Sequence, residues 1–370
     1  MKPAYRIGLS LGNIGRFDDG LGEVTRALGS GLAARADALR NARGIEFSFH
    51  VLPALVGCFG DRVDYLPVRR SQEWWHRSPV NFDVWHTLHQ LNRYRPPAGT
   101  GLRIATVHDL NYLYFKNAWS RSRDERRLRR LLARSDRVIA ISDHTRADLV
   151  RRIGCDAPLA VIHNGVRDLV AEPREAVPGL VPGGFLFHLS RMSRSKNVEA
   201  LLDMAAVWPE MPLVLAGPDA LRNAELRAQV EARGLSQVRV LTGISDAQKA
   251  WLYAECAGFV FPSLTEGFGL PPLEAMHFGK PVFVSDLTSL PEVCGDAAWY
   301  WRDFSPQAMR QVVEQGLLAH AQQGLSAKVR GHALRFSWTA AIDAHLALYL
   351  APLIAANGAR AEGGAGSTVR

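Results

Sequence analysis

Cysteine is scarce in this chain of 370 residues: Cys58, Cys155, Cys256 and Cys294 stand 97, 101 and 38 positions apart. No CxxC pair is available to hold zinc or to carry thiol redox chemistry, and the usage fits a reducing compartment. Long apolar runs are missing too. The first 19 residues break their hydrophobic stretch with Gly8, Gly12 and Asn13, short of the roughly 7–15-residue apolar core of a secretory signal. The most apolar late segment, 346–356, has 11 residues and contains Pro352, against about 20 needed to span a bilayer. A cytoplasmic location is expected, without a signal peptide or a transmembrane helix. There is no DxD motif and no GxGxxG fingerprint, which argues against a carboxylate-held metal and against a Rossmann dehydrogenase.

What is present is ordinary globular material, 47% hydrophobic and 22% charged, in a length that suits two domains of roughly 150 residues or more. The net charge of +8 is unevenly placed. Residues 1–175 carry 28 basic and 19 acidic side chains, leaving 16 and 17 for the rest. Nine basic residues face three acidic ones between Lys116 and Arg137. Such asymmetry points to an anionic partner for the N-terminal half.

Short apolar or β-branched runs bounded by breakers predict strands at 5–11, 45–52, 83–88, 102–107, 137–141 and 159–162, with helical patterns at 21–39 and 143–153. The Pro/Gly-rich stretch EPREAVPGLVPGG interrupts this alternation, which then restarts. Strands are predicted at 185–189, 212–216, 238–241, 258–261 and 281–284, with helices between them. The pattern is that of an α/β protein with two Rossmann-like parallel-sheet domains. The expected division is an N-terminal domain over 1–170, a linker over 171–184 and a C-terminal domain over 185–335. A helix over 336–356 returns to the N-terminal domain, and a disordered tail covers 357–370. Open parallel sheets bind ligands at the carboxyl ends of their strands, so the site is expected in an interdomain cleft.

The most informative stretch is FPSLTEGFGLPPLEAMHFG, residues 261–279. A strand end leads through a glycine-containing loop to a helix opened by Pro271 and Pro272, residues tolerated in a first helical turn. The loop aims the amides of Phe268, Gly269 and Leu270, with the positive end of a helix dipole, at a site suited to phosphate. Glu266 and Glu274 flank it, and carboxylates accept hydrogen bonds from sugar hydroxyls. After the first strand of the second domain, HLSRMSRSKNVEALL supplies Arg191 and Lys196, cations able to neutralise a departing diphosphate. Side chains rather than a metal are therefore expected to stabilise the leaving group.

These residues resemble the retaining glycosyltransferases of family 4, which have the GT-B fold. Glu266 and Glu274 match both ends of that family's E-x7-E motif, and Arg191 and Lys196 its R-x4-K element. SDHTRADLV, VIHNGV and TVHDL match more weakly. The resemblance implies that Glu266 contacts the donor sugar, Glu274 the nucleotide ribose, and the 268–270 amides the sugar and phosphates. It places His108 near the reaction centre, making His108, Arg191, Lys196 and Glu266 the catalytic candidates. The family usually shows adjacent glycines before its first helix. Here Gly20 and Gly22 are separated and Asp19 replaces a neutral residue; the two glycines are assigned to donor binding. The His-Asp-Leu pattern at 108–110 resembles members that use mannose-like donors, implying GDP-mannose.

No cofactor is expected beyond the nucleotide sugar, and no metal. The HxxH spacing of His86 and His89 has no further ligands converging on it, and His86 is read as acceptor-site or structural. Arg69, Arg70, Trp74 and Trp75 in PVRRSQEWWHRSP, with Arg126, Arg127 and Arg130 in the basic helix predicted at 121–134, suit an anionic membrane surface. The helix also reads simply as a surface helix packed on its sheet through Leu128, Leu131 and Leu132. The implied partners are a nucleotide diphosphate sugar, a saccharide or lipid-linked acceptor and the inner membrane face, in surface-polysaccharide or lipopolysaccharide assembly. A GT-B-type nucleotide-sugar epimerase is the alternative on the same fold. Nucleic-acid binding is disfavoured because no recognisable RNA- or DNA-binding module accompanies the basic helix.

Overall fold

The computed structural model describes residues 5–17 and 20–364, the backbone alone from residue 355 onward. Asp19 lies outside the described residues. The chain divides into two compact units.

The first unit contains β1 (Tyr5–Ser10), α1 (Gly20–Arg43), β2 (Ile45–Val51), β3 (Asp64–Pro67), β4 (Val84–Thr87), β5 (Leu102–Val107), α2 (Tyr112–Phe115), α3 (Ala118–Leu132), β6 (Arg137–Ala140), α4 (Asp143–Arg152) and β7 (Leu159–Val161). Among the described residues its strands form one seven-stranded sheet, ordered β3-β2-β1-β4-β5-β6-β7, with every pairing parallel. Covered on both faces, such strands read as continuous apolar runs. Ile7, Leu9, Phe47, Phe49, Val84 and Ile104 are buried under Leu28, Leu32 and Ala36 of α1.

The second unit contains β8 (Leu186–Leu189), α5 (Val198–Ala206), β9 (Leu213–Gly217), α6 (Ala220–Ala232), β10 (Val238–Thr242), α7 (Asp246–Glu255), β11 (Gly258–Phe261), α8 (Leu270–His277), β12 (Val282–Ser285), α9 (Leu290–Cys294), β13 (Trp299–Trp301), α10 (Pro306–Gln323) and α11 (Ser326–Ala333). Its sheet runs β10-β9-β8-β11-β12-β13, again parallel throughout. Its core joins Leu186, Leu213, Leu215, Val260 and Phe283 to Leu201, Met204 and Val313 from the covering helices. Each such fully buried side chain contributes about 1.5–3 kcal/mol.

The last helix, α12 (Trp338–Gly364), belongs to the first unit. Ile342, Leu346, Tyr349 and Leu350 enter its core, and the Tyr5 hydroxyl donates to the Tyr349 carbonyl at 2.8 Å. Gly31 of α1 has no side chain because a Cβ there would stand 2.0 Å from Ile342 Cδ1.

Several boundaries differ from the sequence reading. The strands β3 and β13 were not predicted; DYLP is bracketed by Asp64 and Pro67, and WYW is three residues long, and neither contains a β-branched residue. The second unit takes in Ser142–His144 and Val166–Ser337, and the stretch read as a linker packs on it. Val177 is buried, the Glu175 N–H donates to the Ala247 carbonyl, and the Gly183 N–H donates to the Glu255 carbonyl. α12 continues to Gly364, past the residue 357 where an irregular tail was expected, its alanines favouring helix; residues 365–370 lie outside the described residues. The basic helix runs over 118–132, starting earlier because the Asn117 side chain accepts from the Ser120 N–H and caps it.

Candidate functional site

In each sheet the strand order reverses once, between β1 and β4 in the first unit and between β8 and β11 in the second. Loops leaving the carboxyl ends of the strands beside such a reversal diverge and leave a crevice. In the second unit those loops are the ones that carry Arg191, Lys196 and Glu266.

The loop after β8 is held from beneath by a buried relay. His188 Nδ1 donates to the Val260 carbonyl at 2.8 Å, so the neutral ring presents Nε2 as acceptor to the Ser190 hydroxyl at 2.7 Å. The Ser190 oxygen in turn accepts the Met192 N–H at 3.0 Å. Burial lowers the His188 imidazole to about 4, the bond to Val260 opposing and the Lys196 charge adding to the effect, which keeps the ring neutral as this relay requires. Arg222 Nε donates to the Met192 carbonyl at 2.9 Å. Met192 and Asn197, both at φ +52°, bracket the cationic segment, and Thr288 at φ +56° completes the set of non-glycine residues with positive φ among those described. Such conformations cost on the order of 1–3 kcal/mol each and gather where structure serves a site.

The loop after β11 is stapled to the first. The Ser195 carbonyl accepts from the Leu264 N–H at 2.7 Å and from the Ser263 hydroxyl at 3.0 Å. Lys196 Nζ forms an ion pair with Glu266 Oε1, both side chains mostly buried, and stands 5.3 Å above the Phe261 ring. The strand-end cation and the first glutamate of the E-x7-E stretch are thus brought together. Arg191 is exposed on the same loop. From the loop after β12, Thr288 Oγ1 accepts the Glu266 N–H at 3.0 Å, and the Ser289 hydroxyl reaches the carbonyls of Glu266 and Phe268, each at 3.1 Å.

Gly269, at φ +102° and ψ +61°, is the N-cap of α8. A Cβ there would stand 2.7 Å from Leu290 Cδ2. The first four N–H groups of a helix have no intrahelical acceptor; with Pro271 and Pro272 supplying none, those of Gly269 and Leu270 carry the anion-binding capacity of this terminus. Phe268 is buried edge-on against Phe336, centroids 5.7 Å apart. Glu274, 2% exposed, receives Lys249 Nζ on Oε1 and the Tyr253 hydroxyl on Oε2, both at 2.7 Å.

The remaining candidates lie in the first unit. His108, just past β5, donates from Nε2 to the Leu88 carbonyl at 2.8 Å and from its backbone N–H to Gln90 Oε1 at 3.1 Å. Burial lowers its imidazole to about 4, the Leu88 bond opposing and His345 adding to the shift, so the ring is neutral with its lone pair on Nδ1. His86 has both ring nitrogens engaged, by the Tyr349 hydroxyl at 2.6 Å and by Thr106 Oγ1 at 2.7 Å. Its role is structural, and the HxxH spacing does not make a metal pair. Gly22 is buried, and a Cβ there would meet the Arg16 carbonyl oxygen at 2.4 Å, so its bareness makes room for the chain's own backbone. Gly20 opens α1 with nothing within 4 Å of the Cβ position.

Arg69, Arg70, Trp74 and Trp75 are exposed, as are Arg126 and Arg130; Arg127 is half-buried. Leu128 and Leu132 of α3 face the core. Asp124 beside them accepts from Lys116 Nζ at 2.6 Å. Burial works against ionisation of Asp124, but Lys116 and Arg123 hold its carboxyl below the usual range. The two aromatic-basic segments adjoin: Arg93 and Glu73 act electrostatically on Arg127, and Arg95 binds the Gln72 and Glu73 carbonyls. Trp119, 69% exposed, lies under the Arg123 guanidinium at 5.1 Å, and Arg77 covers Trp75 at 4.3 Å. Among the described residues no helix is long and apolar enough to cross a membrane.

Residues 181–318 match the family model for glycosyl transferases group 1, and residues 20–168 match that for glycosyltransferase family 4. The serotype-specific mannosyltransferase WbdA of Escherichia coli is 39% identical over 184 residues, 45% of this chain and 22% of that protein. The match therefore spans about a fifth of the relative's length. The O-antigen chain mannosyltransferase B of Escherichia coli is 29% identical over 254 residues, 64% of this chain and 66% of the relative. The GDP-mannose:cellobiosyl-diphosphopolyprenol alpha-mannosyltransferase of Xanthomonas campestris is 28% identical over 227 residues, 59% of each. Among solved structures, sucrose-phosphate synthase from Thermosynechococcus elongatus superposes with a TM-score of 0.71 at 19% identity, covering 95% of this chain and all of that one. Two parallel-sheet units with this likeness have the GT-B fold. The chain belongs to glycosyltransferase family 4.

Lys249, Tyr253, His188, Thr288 and Ser289 were not singled out from sequence. Lys249 and Tyr253 sit four apart on α7, a spacing that places them on one helix face, and that was the available signal.

Proposed function

We propose that this glycosyltransferase moves mannose from GDP-mannose to a saccharide carried on a lipid, at a membrane surface, in the assembly of a surface polysaccharide. The observation that carries the reading is the joining of Lys196 to Glu266 beside the Gly269–Leu270 amides at the β8/β11 reversal. Mannose and the lipid-linked acceptor draw support from the activities of the relatives, above all the Xanthomonas campestris enzyme. The exposed Trp74, Trp75 and Trp119 among arginines support the membrane partner, since indole rings and basic side chains suit an anionic interface.

In this reading the C1–oxygen bond to the diphosphate breaks through an oxocarbenium-like state, and the acceptor oxygen forms the new bond on the same face, retaining configuration. Lys196, Arg191 and the two amides take up the charge on the leaving diphosphate, which accepts the acceptor's proton; no metal takes part. Glu266 meets hydroxyls of the sugar and Glu274 those of the ribose. His108, neutral, offers Nδ1 to a sugar hydroxyl.

Incubation with radiolabelled GDP-mannose and a polyprenyl-diphosphate-linked disaccharide tests this. The expected outcome is an α-linked mannosyl product, unchanged by EDTA, with one GDP released per transfer. Isomerised nucleotide sugar accumulating with donor alone would replace the reading by an epimerase; no reaction with GDP-mannose alongside transfer from another donor would overturn the mannose assignment.

A further inference from the structure

We infer that Lys249 and Tyr253 are positioning residues that set Glu274 for selective binding of a ribose, so that discrimination between ribo- and dideoxyribonucleotides depends on α7. The inference rests on the proposed contact between Glu274 and the ribose. Glu274 is 2% exposed, and a buried carboxylate needs partners. Both its oxygens have one, each at 2.7 Å and each from the same face of α7. An ionised carboxylate oxygen has two lone-pair sites. With one on each oxygen occupied from within, the two that remain form a fork of fixed orientation, the geometry that neighbouring 2′ and 3′ hydroxyls require.

The donors are themselves immobilised. The Tyr253 ring is caged by Phe187, Phe259 and Phe278, with centroids 5.2, 5.4 and 5.9 Å away. The start of α7 is locked by a reciprocal capping box between Ser245 and Gln248, and Gln248 also binds Glu175 Oε1 at 3.0 Å. Rigid support behind a binding group prevents its loss of orientation when ligand arrives. A pair that merely tied α7 to α8 would affect stability and would leave the preference for a ribose untouched.

The test is calorimetric titration of the full chain with GDP and 2′,3′-dideoxy-GDP, repeated with the matching uridine pair, each variant's fold being checked by thermal melting. Wild type is expected to prefer the ribonucleotide by roughly 10- to 100-fold, the worth of hydrogen bonds to a charged group. Glu274→Gln should lose most of that preference. Lys249→Met should reduce it at least fivefold, by the order expected when one partner of a charge-assisted bond is lost, with dideoxynucleotide affinity nearly unchanged. Tyr253→Phe, which keeps the packed ring and serves where Lys249→Met does not fold, should reduce it by a smaller factor, and Lys249→Arg should restore it. Glu274→Gln losing the preference while Lys249→Met and Tyr253→Phe keep it would overturn the inference. Glu274→Gln keeping it would instead overturn the ribose contact on which the inference rests.

Discussion

Gly269→Ala perturbs the amide turn by a single carbon atom. At φ +102° and ψ +61°, residue 269 lies outside the small left-handed region near φ +50 to +70°, and an L-residue on that side costs about 1–2 kcal/mol. The new Cβ would stand 2.7 Å from Cδ2 of Leu290, which is fully buried, and overpacking adds about 1–3 kcal/mol. Gly234→Ala is the control. It lies at φ +64° with nothing within 4 Å of its Cβ position, so only the dihedral cost of about 1–2 kcal/mol applies. For a unit of this size each kcal/mol moves Tm by about 2–4 °C. Calorimetric melting is therefore expected to place Gly269→Ala roughly 4–20 °C below wild type and Gly234→Ala roughly 2–8 °C below. Gly269→Ala should also weaken nucleotide-sugar binding, because the Gly269 and Leu270 N–H groups must move with the turn. Equal melting shifts for the two variants would refute the clash with Leu290, and unchanged binding in Gly269→Ala would refute the part of this turn in holding the nucleotide sugar.

Lys196→Ala is expected to lower kcat about 100-fold or more, as when one preorganised charge is removed from a transition state, with a smaller change in Kd for GDP; stopped-flow turnover beside calorimetry separates the two, and wild-type turnover would reject the leaving-group role. Exchanging both Trp74 and Trp75 for Ala should weaken sedimentation with phosphatidylglycerol vesicles by roughly tenfold or more, given the area each ring would bury, and binding should fall as salt rises; unchanged partitioning would dismiss the membrane face. Burial lowers His50, His108, His188 and His345 to about 4 from 6.5. Their folded pKa values lie below the unfolded ones, so their contribution is complete above pH 6.5 and is lost as pH falls towards 4. Resistance to urea is therefore expected to fall as the pH drops from 6.5 towards 4. Urea midpoints that stay level from pH 7 to 4.5 would contradict this.

Much of the architecture was legible because parallel strands buried on both faces write themselves as apolar runs between helices. The strands β3 and β13 were not, since DYLP and WYW are short and hold no β-branched residue. The site was legible where the backbone itself takes part: Gly269 and the Pro271–Pro272 pair mark a turn and a helix start whatever surrounds them, and cations at a strand end stand out. The supporting side chains left no such trace. Lys249 reads as an ordinary surface lysine until the packing of α7 on α8 brings it to Glu274, and Thr288 meets Glu266 only through the pairing of β11 with β12. The hydrogen bonds of His188 similarly depend on β11 lying beside β8. Contacts created by strand order are not encoded by local spacing.

In the proposed function a diphosphate binds at Lys196 and the Gly269–Leu270 amides, with Arg191 on the same loop as Lys196. A crystal structure of the full chain with GDP-mannose tests it most directly. The diphosphate oxygens are expected within hydrogen-bonding reach of Lys196 Nζ and the Leu270 N–H, with the ribose on Glu274. A bound nucleotide sugar whose phosphates lie elsewhere, with the Lys196–Glu266 pair undisturbed, would contradict this.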